Sequence, residues 1–250
     1  MKNKHLETLS NICHSNLKNS KKSIEYLRSD RGLSSDIIKL YKIGYFPQNL
    51  EKLYNYIPEE ELIRLNISRN RASSQFSEYF SLIFPILSEY GEVVGISGRT
   101  MVNEEQRKFI NIPKYKNSSY KKSNYLFGLD KSKKHIIQKN EAYVVEGYFD
   151  QISMFQSGIK NCVAICGTAF SKNHFLKLSR YCDKIIFILD NDSAGIRSSE
   201  RIYNKYINKG VKIRLKNLPS KYKDIDEYFS DYNNSKETFF RDSINYVPNF

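Results

Sequence analysis

The chain has 250 residues, 40% of them apolar, and its 40 Lys and Arg against 27 Asp and Glu give a formal charge of +13. That apolar content excludes a disordered chain and suffices for one large domain or two modest ones. The charge points to an acidic partner, nucleic acid foremost, although abundant Lys, Asn, Ile and Tyr are also what an AT-rich genome yields.

Residues 1 to about 20 are largely polar and are expected to fray. A first helix is expected over residues 21–28, stopped by Arg31-Gly32-Leu33, and Ser34 or Ser35 caps a second over 36–41 that ends before Gly44. Short helices over 50–56 and 59–65 precede a polar loop, 66–77. The period then changes: residues 82–87 and 93–97 flank Glu89-Tyr90-Gly91-Glu92 as a β-hairpin, and 109–113 reads as a third strand. Between Arg107 and Tyr125, six basic residues (Arg107, Lys108, Lys114, Lys116, Lys121 and Lys122) interleave with aromatics and meet no acid. Such a pattern suits phosphate neutralisation with base stacking, or equally an ordinary solvated loop.

After Lys131-Ser132-Lys133-Lys134, strand and helix alternate. Strands over 142–146, 162–165, 184–189 and 211–215 are separated by helices over 148–157, 171–181 and 193–208, with short helices at 224–229 and 235–240. Short turns between alternating elements imply a mostly parallel sheet with right-handed crossovers. The expected fold class is therefore α/β. A mixed α+β amino-terminal part covers residues 1–138, a domain with a mostly parallel sheet flanked by helices covers 139–232, and a short helix and tail cover 233–250.

Cys13, Cys162, Cys166 and Cys182 contain no Cys-x-x-Cys pair, which argues for reduced thiols and against structural zinc. No apolar run reaches the roughly 18 residues of a membrane span, and no signal-peptide segment opens the chain, so a soluble, cytoplasmic protein is expected.

Two apolar strands end in acids. Glu146 leaves one strand, with Asp150 one helical turn later; Asp190 and Asp192 leave another, with only Asn191 between them. If the two strands are neighbours, these carboxylates converge at the carboxyl edge of the sheet, where open α/β folds place ligands. Converging carboxylates repel unless a cation neutralises them, and oxygen donors suit a hard ion, Mg²⁺ or Mn²⁺. Asp224-Ile225-Asp226 offers further donors. Taken singly, Asp150 and Asp192 also suit helix N-termini, which needs no chemistry.

Glu146-Gly147-Tyr148-Phe149-Asp150, Ile165-Cys166-Gly167-Thr168-Ala169 and Asp190-Asn191-Asp192-Ser193-Ala194-Gly195 together resemble the toprim signature of bacterial DnaG-type DNA primases. Upstream, Arg31-Gly32-Leu33-Ser34, Ile43-Gly44-Tyr45-Phe46-Pro47, Phe84-Pro85-Ile86, Gly95-Ile96-Ser97-Gly98-Arg99, Lys108-Phe109-Ile110-Asn111 and Tyr125-Leu126-Phe127-Gly128-Leu129 are similar, in order, to the same family's catalytic core. The resemblance implies metal-dependent synthesis of an RNA primer from ribonucleoside triphosphates on single-stranded DNA. It implies Glu146, Asp190 and Asp192 as the catalytic, metal-site carboxylates and Asp150, Asp224 and Asp226 as their supports. Arg99, Lys108 and Lys122 would face nucleotide or DNA phosphates, with Gly167 and Thr168 near the site. Type and spacing leave open whether Glu146 binds metal or moves a proton.

The chain departs from the family at Asn191, where Gly is usual, and at Tyr79-Phe80-Ser81, where basic residues are expected before Phe84-Pro85. Asn191 reads as a residue tolerant of unusual backbone angles. Neither a zinc module nor a helicase-interaction domain has a counterpart. Start-site choice and helicase coupling would then reside in a separate zinc module and a replicative helicase, or the chain would be a minimal primase of a phage or mobile element. Two other functions fit the same acids: a toprim nuclease or strand-passing relative, and a replication accessory protein that binds nucleic acid after its catalysis has decayed.

Overall fold

The computed structural model describes residues 3–167 and 169–248. The chain divides into two compact units, Met1–Lys121 and Lys122–Phe250. No helix among the described residues is long and apolar enough to cross a membrane.

In the first unit, the segment expected to fray is a helix, Lys4–Asn16. The Asn3 side chain caps it by accepting from the N–H groups of His5 and Leu6, while Leu6, Leu9 and Cys13 form a buried stripe among polar neighbours. Four antiparallel strands follow one another in the sheet: β1 Gly44–Tyr45, β2 Leu82–Leu87, β3 Val93–Arg99 and β4 Tyr115–Asn117. The β2–β3 hairpin matches its expectation, but the strand expected over 109–113 does not form. Asn103 instead caps a helix, Glu104–Phe109, with Glu104 and Glu105 in its first turn and Lys108 paired to Glu104 one turn on. Phe109 is 90% exposed, so no core draws it into the sheet, and β4 takes that edge. The loop expected over 66–77 runs into a short helix, Gln75–Glu78, which buries Phe76.

The second unit holds a five-stranded sheet in the order β6-β5-β7-β8-β9. These strands are β5 Glu141–Val145, β6 Cys162–Ala164, β7 Lys184–Phe187, β8 Lys212–Asn217 and β9 Ile244–Tyr246. All neighbours are parallel except β9, which runs antiparallel to β8 and draws part of the expected tail into the sheet. Helices Tyr148–Gln156, Lys172–Leu178 and Ser193–Tyr206 make the crossovers. Residues 142–145 and 185–187 are buried without alternation, as central parallel strands covered on both faces must be.

The division at 121/122 precedes the boundary expected near 138. Helix Leu129–Lys139 belongs to the second unit, because Leu129 and Ile136 pack in one core with Val144 and Val163, and the Ser132 hydroxyl donates to the Cys162 carbonyl at 2.6 Å. A change of sequence period marks where a sheet begins; packing decides what it carries with it.

Candidate active site

The two acid-tipped strands are neighbours: Val144 lies opposite Phe187, and the Ile188 N–H donates to the Val144 carbonyl at 3.0 Å. Running parallel, β5 and β7 deliver Glu146 and Asp190 to the same carboxyl edge, where the Asp190 backbone N–H comes close enough to the Glu146 carboxylate to lower its pKa. Burial raises the pKa of Glu146 and the charge of Asp192 adds to the shift, partly offset by that N–H. Asp190 is pushed up to about 7, first by burial and then by repulsion from Glu146 and Asp224.

The remaining acids are placed by helix starts. Asp192 caps helix Ser193–Tyr206, its Oδ1 accepting from the N–H groups of Ala194 and Gly195 at 2.9 Å each, which holds its carboxyl below the usual range. Asp224 caps helix Ile225–Ser230 in the same way, accepting from the Glu227 N–H at 2.8 Å. Buried Asp150 bridges two segments: Oδ2 accepts from the Gly147 N–H at 2.8 Å and Oδ1 from the Asp226 N–H at 3.1 Å. Its pKa is pushed up to about 8 by burial, then by Asp224 and Asp190. Asp226, also buried, accepts from the Ser153 hydroxyl at 2.5 Å and so fastens helix Ile225–Ser230 to helix Tyr148–Gln156.

Gly195 is required by close approach, since a Cβ there would lie 2.1 Å from the Asp190 carbonyl oxygen. A Cβ on Gly147, with φ −111°, would lie 2.8 Å from Asp150 Oδ2, the oxygen that accepts from the Gly147 N–H, and would meet no backbone. Asn191 corrects the expectation of an unusual backbone. It is absent from the positive-φ residues, and its side-chain amide instead donates to the carbonyls of Leu218, Pro219 and Tyr222. Lys223, which no sequence motif singles out, puts a positive charge near Glu146, Asp190 and Asp192 and lowers the pKa of each. A cavity of about 450 Å³ opens beside Glu146, walled by Ile165, Gly167, Leu189 and Ile202, with Arg201 and Lys205 also lining it. Thr168 lies outside the described residues.

The basic candidates are dispersed. Arg99 lies in the first unit between the rings of Tyr26 and Tyr115, 5.4 and 5.3 Å from their centroids, and donates to the Tyr115 hydroxyl at 2.7 Å. It lines a cavity of about 600 Å³ with Arg31, Arg107 and Lys114. Of these, Arg31 belongs to the family-like segment Arg31-Gly32-Leu33-Ser34 but is not among the expected phosphate-facing residues. Lys108 is on the exposed face of its helix, in the pair with Glu104. Lys122 opens the second unit in a short helical turn, and its carbonyl lies 3.1 Å from His174 Nε2.

The donor set suits a hard divalent ion: carboxylates predominate, and Glu146 and Asp190, raised in pKa first by burial and then by neighbouring acids, are groups whose ionised form a cation would stabilise. Asp192 and Asp224 make their cap bonds through Oδ1, which leaves Oδ2 for a ligand. Among the described residues, no three His, Cys, Asp or Glu side chains already stand as a group that could hold an ion. The fit is one of chemistry and neighbourhood, and ligation would turn side chains.

Family models match residues 143–229 as Toprim-like and residues 12–133 as the N-terminal domain of the DNA primase catalytic core. A DNA primase of Synechocystis sp. is 34% identical over 236 residues, which covers 87% of this chain and 36% of the relative. The crystal structure of the Aquifex aeolicus primase, comprising zinc binding and RNA polymerase domains, matches with a TM-score of 0.82 at 28% identity, over 97% of this chain and 60% of that one. The DnaG primase catalytic domain bound to ssDNA matches with a TM-score of 0.78 at 27% identity, over 95% and 78% of the two chains. The chain spans about a third to a half of the length of the first curated relatives it matches. Two models in consecutive order, with one fold shared across nearly the whole chain, place it with a single group of proteins: it belongs to the family of DnaG-type DNA primase catalytic cores, within the toprim superfamily.

Proposed function

We propose that this chain synthesises RNA primers on single-stranded DNA by nucleotidyl transfer. The 3′-hydroxyl of the growing primer attacks the α-phosphate of an incoming ribonucleoside triphosphate, and pyrophosphate leaves. The observation that carries this reading is the meeting of Glu146 and Asp190 at the carboxyl edge of adjacent parallel strands, in a chain of this family.

Mg²⁺ or Mn²⁺ would be held by Glu146, Asp190 and Asp192, with Asp224 beside them; when bound, such an ion stabilises charge developing on the attacking and leaving oxygens. Asp150 and Asp226 keep the two acid-bearing segments in register through their backbone and hydroxyl hydrogen bonds. Glu146 and Asp190, both raised in pKa, are also placed to take a proton from an attacking hydroxyl. Arg99, held by two tyrosine rings in a cavity that Arg31, Arg107 and Lys114 line together with Glu25, Asp30 and Glu104, is suited to a phosphate, and Lys108 and Lys122 to DNA backbone contacts. The relative solved with ssDNA supports such a template.

The purified chain is expected to make labelled oligoribonucleotides from single-stranded DNA, ribonucleotides and Mg²⁺ or Mn²⁺, and Asp190→Asn to make none. Absence of product across several templates, with a zinc module added, refutes the catalytic reading.

A further inference from the structure

We propose that Asn191 is the positioning residue of the acid cluster: its side chain clamps the turn 218–223 to the end of β7 and thereby sets where Asp224 and Lys223 stand relative to Glu146 and Asp190. The inference rests on the metal-site reading above and assigns Asn191 a part in it.

The turn joins the end of β8 at Asn217 to the helix starting at Ile225 and has no strand or helix of its own. One residue gathers it. Asn191 Nδ2 donates to the Tyr222 carbonyl at 2.7 Å, to Leu218 at 3.1 Å and to Pro219 at 3.4 Å, so two amide hydrogens are shared among three acceptors. The Asn191 N–H adds a fourth bond, to the Lys223 carbonyl at 2.8 Å. Because the backbone at Asn191 is not left-handed, its side chain is not there to ease a strained conformation. The far end of the turn is held separately, by the Lys223 N–H donating to Glu227 Oε2 at 2.6 Å.

The consequence is electrostatic. Asn191 lies directly between Asp190 and Asp192, so the clamp joins the peptide that carries two of the acids to the peptide that carries Asp224 and Lys223. With the amide removed, three carbonyls must find water, and the turn is left with only the Asn191 N–H bond to Lys223 and the Glu227 bond at its far end, so both charges can shift relative to the cluster. A residue that fixes the partners of a metal ligand acts on affinity as an outer-shell hydrogen bond does.

The test is calorimetric titration of Mn²⁺ into the whole chain, with thermal melting in EDTA as the fold control. Asn191→Gly and Asn191→Leu are expected to fold and to bind Mn²⁺ roughly tenfold more weakly. Asn191→Gln, which keeps the amide donor, is expected to recover most of that loss. Glu227→Ala, at an exposed position, loosens the other end of the turn and is expected to weaken binding in the same direction. Wild-type affinity in a folded Asn191→Gly or Asn191→Leu overturns the proposal, and so does an equal loss in Asn191→Gln, which would assign the side chain to packing. If the Asn191 variants do not fold, Glu227→Ala and Glu227→Gln decide together, since both remove the charge and only Gln keeps an acceptor oxygen for the Lys223 N–H: weaker binding in Glu227→Ala than in Glu227→Gln supports the clamp, and equal binding overturns it. A wild-type chain that takes up no Mn²⁺ sinks the metal reading itself, a failure distinct from unchanged affinity in the variants.

Discussion

Gly195→Ala tests whether the acid edge is built by close backbone approach. An added Cβ would lie 2.1 Å from the Asp190 carbonyl oxygen, 2.9 Å from its carbonyl carbon and 3.0 Å from its nitrogen. An ordinary carbon–oxygen contact is about 3.4 Å, so the first turn of helix Ser193–Tyr206 must retreat by roughly an ångström. All three atoms are backbone, and no rotamer change can yield that space. Overpacking of this kind costs about 1–3 kcal/mol, partly offset by up to about 1 kcal/mol from the better helix propensity of Ala. A net loss of about 1–2 kcal/mol corresponds to a fall of roughly 3–8 °C in the melting temperature of a unit this size. Gly147→Ala is the milder comparison, because its φ suits Ala and its new Cβ crowds one side-chain oxygen, Asp150 Oδ2 at 2.8 Å, and no backbone. Differential scanning calorimetry of both variants in EDTA, paired with Mn²⁺ titration, should show Gly195→Ala losing both stability and affinity while Gly147→Ala loses less of each. A Gly195→Ala chain that melts with the wild type, or a larger loss in Gly147→Ala, refutes the steric argument.

The buried acids predict a pH dependence in the absence of metal. Asp190 at about 7 and Asp150 at about 8 keep their protons in the folded chain after the unfolded chain has lost them, so their contribution to stability falls as pH rises from about 4 towards about 8. In EDTA the wild type should lose melting temperature relative to Asp150→Asn across that window, and saturating Mn²⁺ should flatten the trend; a relative gain with rising pH contradicts it. For the basic residues, Lys108→Ala and Lys122→Ala should each lower the log–log salt slope of single-stranded DNA binding by roughly 0.7. Fluorescence anisotropy over a salt series reads this directly, and unchanged slopes return both lysines to the solvated surface.

Much of the second unit was legible because a central parallel strand has a simple signature. β5 and β7 are uninterrupted apolar runs that end at acids, and their neighbours are set by short crossovers whose hand is nearly fixed. The first unit was harder to read. Helix Lys4–Asn16 buries a stripe of only a few residues among Lys, His and Asn, so average polarity hides it. Phe109-Ile110-Asn111-Ile112 has strand-like composition, yet the Asn103 cap and the acidic first turn start a helix just before it, and no core reaches Phe109. In both places a local cap outweighed the composition of the segment.

The sequence by itself determined the family, and residue type and order along the chain suffice to mark Glu146, Asp190 and Asp192 as its candidate metal-site acids. Only the tertiary structure decided how the acids divide their work. Asp150 and Asp226 are buried and committed to hydrogen bonds between segments, Asp192 and Asp224 cap helices, Asn191 ties the motif to the following turn, and Lys223 brings a charge from outside the motif. The reason is physical: strand order can be inferred from a linear pattern, whereas burial, hydrogen-bond partners and the charge reaching a carboxylate depend on which turns the folded sheet brings to one edge.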